Sequence, residues 1–218
     1  MKDVQHRTHQ TSHAVQHHWD SRYQQNDDQN LSWTESAQSL SQQWISGTLP
    51  HSSIIADIGA GKSLVLPTLL EAGYRNLTHV EWSQSASLAL RHQLSDQASE
   101  ITWFVGDLNQ WEPPALIDLW HDRAVFHFQM EHSSIQQYLQ SLHRAVRSGG
   151  YALLATFHLD GPKTCSGFPV QRYDASSLIS TLNKYKDANW KEVKSEIWKH
   201  RTPFGSEQIF QYLLAQRS

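Results

Sequence analysis

The stretch of this chain best suited to bind a small ligand is Asp57-Ile58-Gly59-Ala60-Gly61, because of its residue types and their spacing. They follow the short apolar run 54–56, and a segment with helical spacing of leucines begins soon after them. Glycine has no Cβ, so the backbone at both glycines can come close to a bound molecule. A buried strand that runs into a glycine-rich turn and then a helix is typical of a nucleotide-binding crevice. We therefore predict a nucleoside-type ligand at this turn.

Two phosphate-binding motifs fit this turn only in part. Residues 56–63 match a loose P-loop that ends in Gly61-Lys62-Ser63. A dinucleotide-binding turn would need a third glycine where the chain has Leu64. Asp57 would repel phosphates held in such a cradle, whereas a ligand with an amine and no phosphate would welcome the acid. A P-loop nucleotide hydrolase stays open as an alternative, and it predicts magnesium-dependent binding of ATP or GTP.

Two further acids stand at the ends of predicted strands. Glu81 ends the predicted strand 76–81, about twenty residues beyond the glycines, where an acid can accept bonds from two ribose hydroxyls. Asp107 follows the predicted strand 101–105. The carboxyl ends of parallel strands meet at one edge of a sheet, so these acids should face the same crevice. This arrangement favours an adenosine ligand.

With these acids and glycines, nearly the whole chain resembles the class I S-adenosylmethionine-dependent methyltransferases. The resemblance implies S-adenosyl-L-methionine as the cofactor, with Asp107 on the adenine amino group and the Leu108 N–H on a ring nitrogen. It also implies an α/β fold with a seven-stranded, mostly parallel, doubly wound, Rossmann-like sheet whose last strand is antiparallel. The predicted cofactor-binding residues are Tyr23, Trp33, Asp57, Gly59, Gly61, Glu81, Trp82, Asp107 and Leu108.

The N-terminal part of the chain is rich in aromatic residues. Trp19 and Tyr23 are four residues apart and share one helical face, and Trp33 follows them. Many methyltransferases open with a similar stretch over the methionine end of the cofactor, so the resemblance implies lid helices within 18–50. Simple packing of the tryptophans on the sheet is the other interpretation. Residues 1–17 are polar, and we predict a mobile tail whose histidines bind no metal.

Residues near the fourth predicted strand, 115–120, could take part directly in methyl transfer. His121, Asp122 and Arg123 follow it, and His127 comes soon after. We predict Asp122, His121 and His127 as candidate bases and Arg123 as a clamp for the acceptor. The stretch 118–124 is similar to the thiopurine S-methyltransferases, as is the Gly-Pro-containing loop 158–170. A structural Asp122–Arg123 ion pair and a core role for His127 are the alternatives.

The predicted acceptor-binding residues are Arg123, His132, Cys165 and Arg201. Methyl transfer from a sulfonium is an in-line displacement that needs a placed nucleophile and a dry site, and no metal is predicted. We expect a small-molecule acceptor such as a thiol, a metalloid or an amine, because no recognition domain is appended. A protein lysine is the close alternative. An open acidic groove would favour the lysine, and a closed aromatic pocket would favour the small molecule. A non-catalytic adenosyl-binding scaffold is a further alternative.

Composition limits the remaining choices. The 218 residues suit one domain, predicted over 18–218, and the net charge of −3 argues against a nucleic-acid partner. The single cysteine cannot form an internal disulfide, which indicates a reducing, cytoplasmic location. No apolar run is long enough to span a bilayer, so no membrane partner is expected.

Overall fold

A seven-stranded sheet with the order β3-β2-β1-β4-β5-β9-β8 forms the centre of the computed structural model, which describes residues 14–24, 31–32 and 39–218. β1 to β5 run parallel, and β9 is antiparallel to both of its neighbours, β5 and β8. The predicted fold class is therefore confirmed. The strands are β1 (Ile54–Ile58), β2 (Asn76–Glu81), β3 (Ile101–Val105), β4 (Ile117–Arg123), β5 (Val146–Phe157), β6 (Thr164–Cys165), β7 (Phe168–Pro169), β8 (Trp190–Arg201) and β9 (Glu207–Arg217).

Helices cover both faces of the sheet. One buried cluster packs the sheet against α2 and α3, and the other packs it against α5 and α6. The central strands are buried on both faces, which explains their nearly continuous apolar sequences. Within the described ranges, no helix is both long and apolar enough to cross a membrane. The helices are α1 (14–24), α2 (Leu40–Thr48), α3 (Val65–Glu71), α4 (Gln84–Leu94), α5 (His132–Ala145) and α6 (Ala175–Leu182).

The start of α1 differs from the sequence prediction. α1 includes residues 14–17, which were expected to lie in the tail. α5 has Glu131 as its N-cap, and the Ser134 hydroxyl donates to the Glu131 carbonyl. β8 begins at Trp190, where the Asn183 side chain bonds both the N–H and the carbonyl of Trp190 and closes a turn before the strand.

The end of the fourth strand decides which side chains can reach the site. β4 continues to Arg123, whereas the sequence prediction ended it at residue 120. His121 and Asp122 are therefore strand residues, paired in register with Asp57 and Ile58 of β1. Successive strand side chains point to opposite faces of a sheet, so these two neighbours cannot share one site.

Candidate active site

A cavity of about 680 Å³ lies at the carboxyl ends of β1 to β4. This is the edge where a doubly wound sheet binds its ligands, at the point where the strand order reverses. The volume is within the range of roughly 300–1,000 Å³ that is usual for small-molecule sites. One part of its wall comes from β1 to β3 and the turns after them, and we call it the cofactor half. The other part comes from α1, the end of β4, α5 and the β6–β7 hairpin, and we call it the acceptor half.

The glycine turn borders the cofactor half. Gly59 and Gly61 have φ angles of +59° and +55°, in the left-handed region that side chains disfavour. A Cβ at Gly59 would lie 2.1 Å from Cγ2 of Val125, and a Cβ at Gly61 would lie 2.2 Å from the Tyr23 hydroxyl. Both backbone conformation and close packing therefore require glycine here. Gly59 and Tyr23 line the cavity, whereas Gly61 lies just behind the wall.

Glu81 is held at the end of β2 by backbone groups. Its Oε2 accepts from the Gly61 N–H at 2.8 Å, and its Oε1 accepts from the Ser83 N–H at 2.7 Å. Burial raises the pKa of this carboxyl to about 7, although these N–H groups lower it. Each carboxylate oxygen can accept two hydrogen bonds, so acceptor capacity remains for ribose hydroxyls. Its neighbour Trp82 also lines the cavity.

Asp107 follows β3 and faces the same half of the cavity. Its Oδ1 accepts from the backbone and side-chain N–H groups of Asn109, which fixes the short turn after the strand. Leu108, Asn109 and Gly106 line the wall beside it. The carboxylates of Glu81 and Asp107 thus stand at the ends of two adjacent strands, the first as the last residue of β2 and the second just after β3, as an adenosine ligand would require.

These features together fit S-adenosyl-L-methionine. The backbone of Gly59 lies against the cavity with no room for a side chain, and the acids at the ends of β2 and β3 can hold the ribose and the adenine. In addition, Oδ2 of Asp57 is buried and has no hydrogen-bond partner among the described residues. A buried carboxylate oxygen without a partner is costly, so a cationic ligand group beside it would be stabilising.

Asp57 itself does not line the cavity. It is 2% exposed, and its Oδ1 bonds Nδ1 of His121 at 2.6 Å. Nε2 of His121 lies 2.8 Å from the Ser41 hydroxyl on α2. His121 is therefore enclosed on the sheet face that packs against α2. This placement does not support the prediction that His121 acts as a base, because its ring is turned away from the cavity.

Asp122 points to the opposite face and is also enclosed. Its carboxylate accepts from the backbone N–H groups of Val125 and Phe126 and from the Tyr138 hydroxyl. Trp120 extends this chain by donating its indole N–H to Tyr138 at 2.8 Å. Burial raises the pKa of Asp122 to about 6. The carboxylate thus fixes the turn after β4, and Tyr138, not Asp122, reaches the cavity wall.

His127 is fully buried among aromatic rings. Its Nδ1 accepts from the Phe157 N–H at 3.4 Å, and its ring packs against those of Phe128 and Phe157. Burial, aided by the nearby Arg123 charge, lowers the pKa of His127 to about 3, so the ring is neutral at physiological pH. It does not line the cavity, and this position favours the core interpretation over a catalytic one.

The acceptor half has apolar walls. Arg123 and Cys165 both line it, as predicted from the sequence, although their roles stay predictions. The Arg123 guanidinium lies 4.7 Å from the centre of the Phe210 ring, and its Nε donates to the Tyr212 hydroxyl. Burial raises the pKa of the Cys165 thiol to about 11, so it is an uncharged wall group. The other large side chains of this half are Trp19, Tyr23, Phe128, Met130, Gln137, Tyr138 and Phe168.

On one side, α1 is tied to the cofactor half. Asp20 Oδ1 accepts from the Ser83 hydroxyl at 2.7 Å and from the Ser85 N–H at 3.0 Å, at the start of α4. The Gln16 side chain donates to the carbonyl of Trp82. α1 therefore contacts the segment that directly follows Glu81.

On the other side, α1 is tied to the β6–β7 hairpin. Nε of Arg22 donates to the Ser166 hydroxyl at 2.9 Å, and the His18 and Phe168 rings are 4.4 Å apart. Ser166 and Gly167 both have positive φ angles, as the tight two-residue turn of this hairpin requires. α1 thus joins the two halves of the cavity, and the lid that the resemblance implies stays a prediction.

Three predicted residues lie elsewhere. His132 is the exposed first residue of α5, and Arg201 is exposed at the end of β8, so neither lines the cavity. Trp33 lies outside the described residues. The sequence reasoning missed Phe128, Met130, Gln137 and Phe168, which come from three separate segments. A weak signal was available for the hairpin, because Ser166-Gly167 is a residue pair typical of a tight turn.

Comparisons with known proteins agree with this geometry. Residues 55–150 match the family model for a methyltransferase domain. None of the curated proteins compared by sequence matches the chain.

Three solved structures are similar in fold. One, described for the conversion of a disulfide bond into a thioacetal group during echinomycin biosynthesis, has a TM-score of 0.72 at 16% identity and covers 94% of this chain and 92% of its own. The Burkholderia thailandensis 1,6-didemethyltoxoflavin-N1-methyltransferase, with S-adenosylhomocysteine bound, has a TM-score of 0.66 at 16% identity and 84% and 79% coverage. The glycopeptide N-methyltransferase MtfA, with S-adenosyl-L-methionine, has a TM-score of 0.64 at 12% identity and 86% and 96% coverage.

The P-loop alternative is not supported by any of these findings. The match of residues 55–150 to a methyltransferase domain, together with the sheet and the cavity, supports S-adenosylmethionine-dependent methyl transfer as the activity of this chain.

Proposed function

We propose that the chain transfers the methyl group to a small-molecule acceptor with a flat, largely apolar body, attached to a thiol, a metalloid or an amine nucleophile. The acceptor half of the cavity supports this proposal. Trp19, Phe128, Met130 and Phe168 form its wall, and none of the described residues lining this half is a carboxylate. A lysine side chain on a protein would favour an open groove with acids that attract its charge.

The residues of the chain would position the cofactor and the acceptor and would exclude water from the site. S-adenosyl-L-methionine, when bound, supplies an electrophilic methyl group on a sulfonium. Glu81 and Asp107 would hold the adenosine part, and the glycine turn would lie against it. The aromatic wall and α1 would exclude water and align the acceptor for in-line attack. Arg123 would line the acceptor side, where its charge can orient an electron-rich group.

The position of the three candidate bases shapes the mechanism. His121, Asp122 and His127 are all enclosed away from the cavity, and the Cys165 thiol is uncharged. An acceptor that reaches the cavity already nucleophilic, such as a thiolate or an unprotonated nitrogen, needs no base from these residues. We therefore rank thiols and heteroaromatic amines first among acceptors.

A transfer assay with tritiated S-adenosyl-L-methionine tests the proposal. We expect label in small thiols or heteroaromatic amines and none in lysine-containing proteins offered at equal nucleophile concentration. Phe168→Ala should raise KM for the acceptor at least fivefold, and the matched control Phe204→Ala, an exposed residue that does not line the cavity, should not. Labelling of protein lysine alone would overturn the small-molecule proposal. Binding of S-adenosylhomocysteine without any transfer would favour the adenosyl-binding scaffold.

A further inference from the structure

The segment after β4 contains a residue in an unfavourable backbone conformation. Ala124 has a φ angle of +68°, in the left-handed region that side chains disfavour. Two other non-glycine residues with positive φ, Ser95 and Ser166, end a helix and turn a hairpin, where such angles are common. Ala124 instead directly follows a central strand of the sheet. A strained residue persists only where its surroundings hold it, and such residues are concentrated at functional sites.

Hydrogen bonds hold the chain on both sides of Ala124. Its own N–H donates to the carbonyl of Ala155 at 2.9 Å, which extends the pairing of β4 with β5 by one residue. Beyond it, the N–H groups of Val125 and Phe126 donate to the Asp122 carboxylate at 2.9 and 3.0 Å. The chain must therefore fold back on Asp122 within three residues, and the positive φ at Ala124 allows it to do so.

The Asp122 carboxylate is itself held by a second element. The Tyr138 hydroxyl on α5 donates to its Oδ2, and the Trp120 indole N–H donates to Tyr138 at 2.8 Å. All three side chains are at most 2% exposed. The position of the carboxylate therefore depends on β4 and α5 together, and the carboxylate passes this constraint on to the segment around Ala124.

Residues 123–125 lie where the two halves of the cavity meet. All three line the cavity, and Arg123 belongs to the acceptor half. Val125 packs against the cofactor half, since a Cβ on Gly59 would lie 2.1 Å from its Cγ2. If Ala124 relaxed to a negative φ, Val125 would swing away from Gly59 and the wall between cofactor and acceptor would move. In-line displacement depends steeply on the alignment of the two reactants.

We propose that Asp122, supported by Tyr138, is a positioning residue for methyl transfer: it holds Ala124 in the left-handed conformation, so that residues 123–125 align the acceptor with the methyl group of the cofactor. The inference rests on the proposed function, and it gives a role to a residue that the sequence suggested as a base. Loss of the carboxylate bonds should lower kcat and leave the binding of cofactor and acceptor nearly unchanged, because alignment matters mainly in the transition state.

Asp122→Asn in the full chain is the first test. Its amide keeps one oxygen for the N–H groups of the segment, but its nitrogen cannot accept from Phe126 or Tyr138. We expect kcat to fall at least tenfold, while calorimetry gives a Kd for S-adenosylhomocysteine within threefold of wild type and KM for the acceptor changes equally little. Hydrogen exchange followed by mass spectrometry should be at least tenfold faster in residues 123–128 and unchanged in β1.

Glycine at position 124 gives the decisive comparison. Glycine adopts positive φ angles without strain, so Ala124→Gly combined with Asp122→Asn should restore kcat to within threefold of wild type. Ser95→Gly is the matched control, because Ser95 also has a positive φ, of 51°, but is exposed and does not line the cavity. Combined with Asp122→Asn, it relieves a similar strain and should not restore kcat.

Three results would overturn the proposal. Equal restoration by both glycine variants would show that Asp122 contributes only overall stability. A loss of kcat that neither glycine restores, or unchanged exchange in residues 123–128, would show that Asp122 does not act through the conformation of Ala124. If Asp122→Asn does not fold, Tyr138→Phe takes its place in every comparison, with an expected loss of about three- to tenfold in kcat, because it removes only one bond to the carboxylate.

These measurements are separate from the question of the acceptor class. The rate is measured with whichever acceptor takes label in the transfer assay. Labelling of protein lysine alone would refute the proposed small-molecule acceptor and leave the test of Asp122 intact. A wild-type chain that binds S-adenosylhomocysteine and methylates no acceptor of either class would refute both proposals.

Discussion

The Arg22 side chain on α1 donates to the Ser166 hydroxyl at the tip of the β6–β7 hairpin, 144 residues away in sequence, at 2.9 Å. The same helix bonds the start of α4 through Asp20, at the opposite side of the cavity. One short helix therefore spans the cofactor half and the acceptor half. Its contacts on the two sides can be tested separately.

Removing the hairpin contact should affect the acceptor. We expect Ser166→Ala to raise KM for the acceptor about 3- to 10-fold, the worth of one hydrogen bond, and to change S-adenosylhomocysteine affinity less than twofold. Asp20→Ala should instead weaken S-adenosylhomocysteine binding and leave KM for the acceptor nearly unchanged, because its partners Ser83 and Ser85 follow Glu81. Steady-state kinetics and calorimetry measure the two effects. Ser195→Ala, exposed on β8, is the matched control. Equal effects of Ser166→Ala and Asp20→Ala on acceptor and cofactor would contradict the division of the cavity into two halves.

The glycine turn should tolerate no side chain. Gly61→Ala forces a Cβ against Tyr23 at a positive φ, so we expect a loss of about 1–2 kcal/mol in the free energy of unfolding and at least tenfold weaker cofactor binding. Gly47→Ala is the matched control, because it lies in α2 with open space around a new Cβ and should stabilise by about 0.5–1 kcal/mol. Urea unfolding and calorimetry measure both. Cofactor affinity unchanged in Gly61→Ala would show that the turn is not the cradle.

Cofactor affinity should depend on pH through Glu81. Burial raises the pKa of this carboxyl to about 7, and its ionised form is the better acceptor for ribose hydroxyls. The ionised fraction falls as pH drops through 7, so the Kd for S-adenosylhomocysteine should rise roughly tenfold between pH 8 and pH 6. Glu81→Gln should bind more weakly at pH 8 and lose most of this dependence. Glu192→Gln, exposed on β8, should keep the wild-type profile, and a wild-type profile in Glu81→Gln would assign the titration to another group.

The Tyr138 hydroxyl should matter for stability. It donates to Asp122 and accepts from the Trp120 indole, and all three side chains are fully buried or nearly so. Tyr138→Phe removes one hydrogen bond from Asp122 and one from Trp120, so we expect a loss of about 1–3 kcal/mol in the free energy of unfolding. Tyr151→Phe, whose hydroxyl accepts from Gln216 in a partly buried setting, should lose less than about 1 kcal/mol. A Tyr138 variant as stable as wild type would mean that water replaces the missing hydroxyl.

The reactivity of Cys165 reports whether the β6–β7 hairpin stays closed over the cavity. It is the single cysteine of the chain, it is 7% exposed, and burial raises its pKa to about 11. At pH 8 roughly one thiol in a thousand would be ionised, so modification by a disulfide reagent should be at least 100-fold slower than for a free thiol. Ser166→Ala should speed the reaction, since it weakens the contact of α1 with this hairpin. Modification as fast as that of a free thiol in the wild type would show that the hairpin opens readily.

The sequence by itself determined the elements that depend on local order. An acid and glycines after an apolar run, and further acids at 81 and 107, predict a cofactor edge because parallel strands end together. In the structure Gly59, Glu81 and Asp107 all line one cavity. The number of strands in the sheet and the antiparallel direction of the last one also followed from the resemblance and are confirmed by the fold.

Only the tertiary structure decided which side chains face the acceptor. His121 and Asp122 are neighbours in sequence, but β4 continues through both and turns them to opposite faces, where α2 and α5 cover them. The wall of the acceptor half combines Trp19, Phe128 and Phe168, and no local pattern brings three such distant segments together. Strand alternation gives the period of the side chains, whereas which helix covers each face depends on how the whole chain packs.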